Sequence, residues 1–545
     1  MRRYLARPLG WSIVVALALA GSAPGTAQSE SALQLADFAA LPVTGAARGE
    51  GNNAGALARI NTMREEPAPT RRLFVDDLTG PLYILDKQTK RTTIYLDLNG
   101  RPPHTGLFHR FTYETGLASG FVSFAFDPDY STNGRFYTIH LEDVDRNVPA
   151  IPGSARFPGF AAADYTITPP TPTPGGDAHD AVLVEWTDTN ITNSSFEGTA
   201  RELLRIPAGS RFHPMDDLAF NPTARRGDPD WRVLYVACGD GTAGEQTSAI
   251  RTNPQRLDTI TGKILRIIPD LGAPAASSTV SDNGRYRIPR DNPFTSAEHA
   301  RKEIWAYGLR NPHRLSWDVD PARPANNHLI ASVVGLHTWE TVVIIHKGAN
   351  YGYSEREGLQ RLLPDNRLTS LPDVDSIPIR VTDTIANGTV VPHYPVLQYG
   401  HAASGGDAIG GGFVYRGSTV AALRGQFVLG DTSTGRLWIA SFDDMLAADG
   451  RHPPRVADMH ELRVRWNDPN DSPDRGPQVY ATMFDVAKAA YHARGGESVE
   501  LPGRATLAPT GRVDLRFAVD RDGELYLLTK SDGMIRVVTG FGPAK

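Results

Sequence analysis

The chain has 545 residues, 40% of them hydrophobic, and its 61 acidic side chains outnumber its 56 basic ones to give a net charge of −5. An acidic balance argues against a nucleic-acid partner, because phosphate-backbone binding needs an excess of Lys and Arg. The 52 Gly and 41 Pro predict many turns rather than long helices.

The N-terminus has the pattern of a secretory signal peptide. Three arginines precede an apolar run at residues 11–20, which is too short to span a bilayer, and small residues follow up to about Ala27. We therefore predict that residues 1–27 are removed and that the mature chain, without a membrane span, is periplasmic or secreted. A retained membrane anchor is the alternative.

The single cysteine, Cys238, lies in an apolar stretch and has no partner for an internal disulfide. An exported protein without disulfides needs a large core, sometimes helped by a metal ion. The sequence has no Cys-x-x-Cys-His motif, which excludes covalently attached haem.

Residues 28–68 are rich in Ala, Gly, Asn and Pro and predict an irregular lead-in. Short apolar runs separated by turn residues follow at 73–75, 82–85 and 93–98, and these predict a meander of strands. We expect the folded domain to extend from residue 69 to residue 545.

A motif of two strands joined by a polar turn recurs along this domain. Clear copies begin at Phe121, Leu218, Leu315 and Leu515, and looser units lie at 73–98 and 412–442. Six such units predict an all-β fold, a six-bladed β-propeller, because a β-sandwich would not repeat the motif. Long polar insertions at about 144–180, 270–300, 355–395 and 446–510 are expected to form loops.

Residues 303–318 combine a strand, an interruption and a second strand. Apolar residues at 304–307 favour the first strand, Gly308 interrupts it, and Pro312 excludes a helix at the preceding residue. Arg310 and Asn311 are thereby held on a stiff turn. A fixed guanidinium beside a fixed amide suits recognition of an oxyanion or a quinone oxygen; a surface arginine in a β-turn is the alternative.

The hexapeptide at 307–312, Tyr-Gly-Leu-Arg-Asn-Pro, resembles the signature of the glucose/sorbosone dehydrogenase family. The resemblance extends from about residue 70 to the C-terminus. Further matching segments lie at 120–137, 201–206, 257–267, 288–294, 338–340, 347–353, 411–417 and 427–438. It implies a six-bladed propeller, whose best-known examples are soluble quinoproteins that oxidise sugars with pyrroloquinoline quinone (PQQ) and calcium.

The resemblance places His213 where the family has the base that acts on the sugar hydroxyl, and Asp240 where it has an aspartate. The chemistry needs such a pair, because the hydroxyl proton must leave as hydride departs. A neutral imidazole suits this task, and a carboxylate on its other nitrogen fixes the tautomer. An ordinary histidine in a surface turn is the alternative.

The same resemblance implies roles for the remaining site residues. Arg310 would face the quinone oxygens and Asn311 would bond the cofactor. Calcium would bind backbone carbonyls of the loop that begins at Gly335 and Leu336. Glu340 could add a carboxylate, although a solvated loop acid is the alternative.

Several positions depart from the quinoprotein pattern. A glutamine, a lysine, two arginines and two glycines of the family are replaced or out of register here, at Ala118, Thr432 to Thr434, Arg512 and Arg516, and Met215 and Asp216. PQQ carries three carboxylates, so the loss of cationic partners weakens its predicted binding.

The leading hypothesis is an exported PQQ- and calcium-dependent sugar dehydrogenase that passes electrons to an external acceptor. One alternative is a non-catalytic propeller of the same family that binds a glycan or a protein. Another is a calcium-dependent hydrolase such as a lactonase, for which Asp240 and Asn311 are the candidate ligands. Fold alone decides none of these.

Overall fold

The computed structural model describes residues 30–47, 55–113, 119–144, 147–176, 178–320, 322, 326–401, 405–469, 471–496, 501–502 and 511–544. The predicted signal peptide, residues 1–27, and Ala118 lie outside this described part.

The six blades of the predicted propeller each have four antiparallel strands; four blades are separate sheets, and the blades numbered 5 and 6 below are joined in one nine-stranded sheet that also includes Gln478–Tyr480. From the inner to the outer strand, they are Ile60–Glu65, Leu73–Asp77, Pro81–Leu85 and Thr92–Asp97 (blade 1); Phe121–Phe126, Arg135–Asp143, His179–Asp188 and Gly198–Ala208 (blade 2); Met215–Phe220, Leu234–Cys238, Lys263–Ile267 and Ile304–Tyr307 (blade 3); Asn311–Asp318, His328–Val334, Trp339–Ile344 and Leu397–Gly400 (blade 4); Ile409–Val414, Gln426–Asp431, Leu437–Ser441 and His460–Trp466 (blade 5); and Leu515–Val519, Leu525–Thr529, Met534–Pro543 and Ser31–Ala40 (blade 6).

The inner strands of successive blades contact one another around a closed ring, and the inner strand of blade 6 contacts that of blade 1. Each copy of the repeated two-strand motif in the sequence forms adjacent strands of one blade. We call upper the face at which every inner strand begins, and lower the opposite face. Because neighbouring strands are antiparallel, the second and fourth strands of each blade end at the upper face.

The N-terminal segment differs from the irregular lead-in expected at 28–68. Ser31–Ala40 is the outer strand of blade 6, antiparallel to Met534–Pro543, and Ile60–Glu65 is the inner strand of blade 1. Composition concealed the first strand because its buried positions include small alanines as well as Leu33 and Leu35. The domain therefore begins well before residue 69.

The first and last strands of the described chain share blade 6, as a closed ring requires. Ser31–Ala40 also pairs in parallel with the outer strand of blade 5, Leu33 lying opposite Val464. The N-terminal strand thus ties two blades together.

The long insertions contain short elements. The α-helices are Tyr130–Asn133, Phe442–Ala448 and Met483–Ala493. The 3₁₀ helices are Ala162–Asp164, Ala243–Glu245, Ala249–Gln255, Ala421–Leu423 and Pro473–Arg475. Minor strands are Gly45–Ala47, Gly55–Leu57, Ser278–Val280, Arg287–Pro289, Arg356–Glu357, Gln360–Leu362, Leu368–Thr369, Ile377–Arg380, Ala386–Val390 and Gln478–Tyr480.

The core lies between the blades. Between blades 1 and 2, the rings of Phe74 and Phe126 have centroids 5.0 Å apart, and those of Tyr95 and Phe136 have centroids 6.0 Å apart. Aromatic packing of this kind holds neighbouring blades face to face. Cys238 is buried and forms no disulfide. In the described ranges, every helix is too short or too polar to cross a membrane.

Candidate functional site

The turn that carries Arg310 opens blade 4 at the upper face. Gly308 has φ +75°, and a Cβ there would lie 2.2 Å from the Asn350 side-chain oxygen. Glycine is therefore required both for the left-handed backbone and for the close approach. Asn311 begins the inner strand directly after Arg310, so both side chains stand on a rigid base, as the sequence predicts.

His213 and Asp240 meet at the upper end of blade 3. The Nδ1 atom of His213 lies 3.0 Å from Oδ1 of Asp240. Asp240 also accepts hydrogen bonds from the backbone N–H groups of Thr242 at 2.9 Å and Gly244 at 2.8 Å. The carboxylate is thus fixed from several sides, and it in turn orients the imidazole.

Backbone hydrogen bonds join this pair to the Arg310 turn. The N–H of Asp240 donates to the carbonyl of Arg310 at 2.8 Å, and the N–H of Gly241 donates to the carbonyl of His213 at 2.9 Å. His213 has φ +53°, a left-handed conformation uncommon for a residue with a side chain. The second bond helps to hold that backbone in place.

Gly239 allows the two segments to approach. A Cβ at this position would lie 2.5 Å from the carbonyl oxygen of His213 and 2.8 Å from Oδ1 of Asn311. Any larger residue would therefore push His213 away from Asn311.

Neighbouring charges set the protonation of the His213–Asp240 pair. Burial lowers the pKa of His213, the positive charge of Arg310 lowers it further, and Asp240 only partly opposes them. Burial alone would raise the pKa of Asp240, but the hydrogen bond and charge of His213, together with Arg310, bring it below its usual value. At neutral pH the pair is a neutral imidazole on a carboxylate.

The Nε2 atom of His213 makes no hydrogen bond to any part of the chain that the structure describes, and the side chain is 14% exposed. It is therefore the nitrogen that can accept a proton from a ligand.

Arg310 is buried and only partly satisfied. Its Nη1 atom donates to the carbonyls of Gly335 and Val334, and its Nη2 atom lies 3.5 Å from a carboxylate oxygen of Glu245. Its Nε, the Oδ1 of Asn311 and the hydroxyl of Tyr353 are buried without a hydrogen-bond partner within the described ranges. Buried polar atoms left unpaired are costly unless a ligand or water completes them.

Two of the three residues predicted to bind calcium, Gly335 and Glu340, have their oxygens engaged by the chain itself. The Gly335 carbonyl already accepts from Arg310. Both Glu340 oxygens are engaged, one by the backbone of Gly335 and by His401, the other by the backbone of Ile409. Glu340 is buried, not a solvated loop acid. Calcium binding by Gly335, Leu336 and Glu340 stays a prediction, and it would require Arg310 to release the carbonyl.

Glu357 holds the loop that contains Leu336. One of its oxygens accepts from four consecutive backbone N–H groups, those of Leu336, His337, Thr338 and Trp339, at 2.9–3.1 Å. A carboxylate with four amide donors fixes a loop strongly. The shape of the loop is therefore imposed by a residue that lies well beyond it in sequence.

A group of buried basic residues stands at the upper end of blade 6. Lys530 follows the second strand, and Arg512 precedes the inner strand, where it donates to Asp514. The Nζ of Lys530 is fully buried without a hydrogen-bond partner among the described residues. Burial and the charge of Arg516 hold the pKa of Lys530 well below its usual value.

These observations bear on the basic residues that the sequence comparison found missing. Thr432, at the position where the resemblance implies a lysine, follows the second strand of blade 5, and its hydroxyl accepts from Arg516 at 2.9 Å. Lys530, from the next blade, supplies a buried amine at the same face instead. Within the described chain, Lys530 Nζ at blade 6 and Arg310 Nε and Asn311 Oδ1 at blade 4 are thus buried polar atoms without a partner, and each is open to a polar ligand or water.

Sequence reasoning missed Glu245, Tyr353, Glu357 and Lys530. The sequence does contain a signal for Lys530. It directly follows the second strand of blade 6, and Asp240 lies two residues after the second strand of blade 3. Residues directly after each second strand lie at the upper face. Glu357 comes from the insertion at 355–395, and Glu245 and Tyr353 come from connections between strands that the repeated unit does not include.

The hydrolase alternative needs free oxygen ligands. Both oxygens of Asp240 accept hydrogen bonds from the protein, which leaves Oδ1 of Asn311 as the one unpaired oxygen of the two candidate ligands. The geometry therefore favours a proton-accepting site over a calcium site at this position.

A six-bladed propeller with a histidine–aspartate pair beside a buried arginine defines the class of the molecule. Residues 65–471 match the family model described as Glucose / Sorbosone dehydrogenase. The chain belongs to this family, and the resemblance inferred from sequence is confirmed.

The chain is also similar to distant relatives of more than one kind. The chain is 26% identical to the HIPL1 protein of Arabidopsis thaliana over 497 residues, which cover 87% of this chain but 61% of that protein. It is 26% identical over 256 residues to the Hedgehog-interacting protein of Homo sapiens, covering 46% of this chain and 29% of that protein. The chain thus spans less than two thirds of the length of these relatives.

Among solved structures, the PQQ-bound aldose sugar dehydrogenase of Streptomyces coelicolor aligns with a TM-score of 0.47 and 18% identity. The alignment covers 94% of this chain and 98% of that one.

Proposed function

We propose that the protein is an exported dehydrogenase that oxidises an aldose or related sugar with PQQ as the electron acceptor. The observation that carries this proposal is the free Nε2 of His213, on an imidazole held by Asp240, beside the unpaired polar atoms of Arg310 and Asn311. Membership of the Glucose / Sorbosone dehydrogenase family supports the same reaction class.

Four residues would hold the cofactor. Arg310 offers an unpaired Nε–H and Asn311 an unpaired Oδ1. Arg512 would supply positive charge for a carboxylate, and the buried amine of Lys530 would supply hydrogen-bond donors. When bound, PQQ supplies a two-electron acceptor for hydride. An external acceptor would then take up the electrons.

The side chains of the protein handle the proton and the charge. His213 Nε2 accepts the proton of the sugar hydroxyl, and Asp240 stabilises the imidazolium that results. Arg310 stabilises negative charge that develops at the upper face, from a site where burial strengthens its field. No step of this scheme uses calcium.

The test is reduction of a dye by aldoses, using the full chain reconstituted with PQQ. His213→Gln should lower kcat by about 100-fold or more, the usual worth of a positioned general base, with PQQ affinity nearly unchanged. His299→Gln is the matched control, since His299 is exposed and should leave kcat unaltered. Wild-type protein that takes up no PQQ at tens of micromolar would overturn the proposal.

Export is a part of this proposal that rests on residues 1–27 alone. N-terminal sequencing of protein recovered from outside the cytoplasm should begin near Gln28. Recovery of intact Met1 in a membrane fraction would contradict it.

A binding role without catalysis is the second candidate, favoured by the similarity to the Hedgehog-interacting protein of Homo sapiens. Met215 and Asp216, both buried beside His213, support it because they replace glycines of the quinoprotein pattern. Under this candidate, His213→Gln would leave partner binding intact, and PQQ would have no effect on the unfolding temperature.

A further inference from the structure

A second cluster of possible ligands lies on the lower face of the ring, opposite Arg310. His346 follows the third strand of blade 4 and His393 precedes its fourth strand, so both are at the lower face. Asp449 follows the helix Phe442–Ala448, which begins where the third strand of blade 5 ends. The cluster joins two neighbouring blades and is independent of the His213 site.

The three side chains converge. One ligand atom from each can be chosen so that all lie within 4.8 Å of one another. The Nε2 atoms of His346 and His393 lie 2.6 and 2.8 Å from the two oxygens of Asp449. Two imidazoles therefore present the same nitrogen to one carboxylate from different sides.

Backbone contacts hold both histidines in this arrangement. The N–H of His346 donates to the Tyr351 hydroxyl at 2.9 Å, and that hydroxyl donates to the Ile344 carbonyl at 2.6 Å. The N–H of His393 donates to the carbonyl of Asn350 at 2.7 Å. Both histidines are thus tied to the same loop, and little freedom would be lost on binding an ion.

The charge at the cluster also suits a cation. Asp449 is partly buried, its carboxylate 15% exposed, and its ion-pair partners among the described residues are the two histidines. Within that same part of the chain, no lysine or arginine is paired with it. A carboxylate in this position has negative charge available for a metal ion.

We propose that His346, His393 and Asp449 bind a divalent transition-metal ion of the Zn²⁺ type. Two imidazole nitrogens and one carboxylate oxygen are ligands that Zn²⁺ accepts at about 2.0–2.2 Å. Small separations of the side chains would admit the ion. The protons that the two Nε2 atoms now direct at Asp449 would be released, and each neutral imidazole would carry its one proton on Nδ1 instead. The remaining coordination positions are open to water, and the ion would link blade 4 to blade 5.

The test is calorimetric titration of the full chain, carrying no polyhistidine tag and stripped of metal by chelation, with Zn²⁺ alone. Wild-type protein should bind one ion and should unfold at a higher temperature with Zn²⁺ present. His346→Ala and His393→Ala should each weaken binding by at least about tenfold, because each removes one of three protein ligands. Both should abolish the temperature shift.

His299→Ala is the matched control, since His299 is an exposed histidine paired only with Glu298 and should bind Zn²⁺ like the wild type. His346→Gln and His393→Gln guard against misfolding, since each retains a polar side chain and should unfold like metal-free wild type. Substitution of Co²⁺ for Zn²⁺ should give the wild type a visible d–d absorption spectrum, and His346→Ala and His393→Ala should lack it. Equal Zn²⁺ affinity in wild type and both alanine variants would overturn the site, as would absence of binding by the wild type.

Discussion

At His213, two neighbouring charges act on the imidazole in opposite directions. Burial lowers its pKa first, Arg310 lowers it further, and the hydrogen bond and charge of Asp240 raise it. The net direction is downward from the ordinary value of 6.5, so the imidazole stays neutral through physiological pH. This is the protonation state that a general base requires.

The two charges can be separated by substitution. Arg310→Gln removes the positive charge, so the pKa of His213 should rise relative to the wild type. Asp240→Asn removes the negative charge, so the pKa should fall. NMR titration of the His213 ring measures both shifts without requiring activity.

Arg367→Gln is the matched control, because Arg367 is exposed and paired with Asp365; the His213 titration should not change. Shifts of the same sign in Arg310→Gln and Asp240→Asn would contradict the electrostatic account. In an active enzyme, the acid limb of kcat/KM should move with the titration, since activity is lost as His213 gains a proton.

The same shift has a consequence for stability. The pKa of His213 is lower in the folded chain than in the unfolded one, so the unfolded state binds the proton more readily. The stabilising contribution of neutral His213 should therefore be full at pH values above the pKa of its unfolded state, and it should decline as the pH falls below that pKa.

At the scale of single elements, the loop at residues 335–339 owes its shape to one distant carboxylate. Glu357 accepts four backbone N–H groups from this loop with one oxygen, while its other oxygen is buried without a partner in the described chain. The loop carries the Gly335 carbonyl that accepts from Arg310. Glu357 therefore acts on the site through the backbone.

Glu357→Gln should lower the free energy of unfolding by about 1–3 kcal/mol, because charge-assisted hydrogen bonds become neutral ones. Urea denaturation measures the loss. The matched control is Glu355→Gln: Glu355 is 30% exposed and pairs with Arg380 at 3.2 Å, so about 1 kcal/mol or less is expected. Equal losses in the two variants would show that the four amides do not need the charge.

The blades themselves differ in how well the sequence predicts them. Inner strands such as Phe121–Phe126 and Leu515–Val519 are apolar and each begins a copy of the repeated two-strand motif. The number and order of the blades could therefore be predicted. Outer strands are less regular, because one edge meets solvent or an insertion. Ser31–Ala40 was missed because its buried positions include small alanines and because its antiparallel partner strand lies at the other end of the chain.

The site was predictable only where one segment of sequence determines it. Arg310 and Asn311 are adjacent on one turn, and His213 and Asp240 belong to one blade, so family resemblance was enough to find them. Lys530 and Glu357 contribute from different blades and insertions. Ring closure places Lys530 at the same face as Arg310, whereas Glu357 acts on the loop at 335–339 of its own blade, through contacts that no sequence pattern indicates.

For the whole molecule, ring closure depends on the N-terminal strand. Ser31–Ala40 completes blade 6 and also pairs with the outer strand of blade 5. Leu33 is fully buried in a cluster with Val464, Trp466 and Val538. No disulfide supports this closure, since the one cysteine is elsewhere. Packing of this strand therefore contributes to the stability of the complete ring.

Leu33→Ala should lower the free energy of unfolding by about 2–5 kcal/mol, the usual cost of emptying a packed leucine site. The loss should appear in a single transition, at the same midpoint by tryptophan fluorescence and by circular dichroism, because opening one blade opens the ring. Gln34→Ala is the matched control, since Gln34 is exposed on the same strand and should change stability by about 0.5 kcal/mol or less. If Leu33→Ala instead produced an early transition for the N-terminal strand and left the main midpoint unchanged, the strand would be an appendage to the propeller rather than its closure.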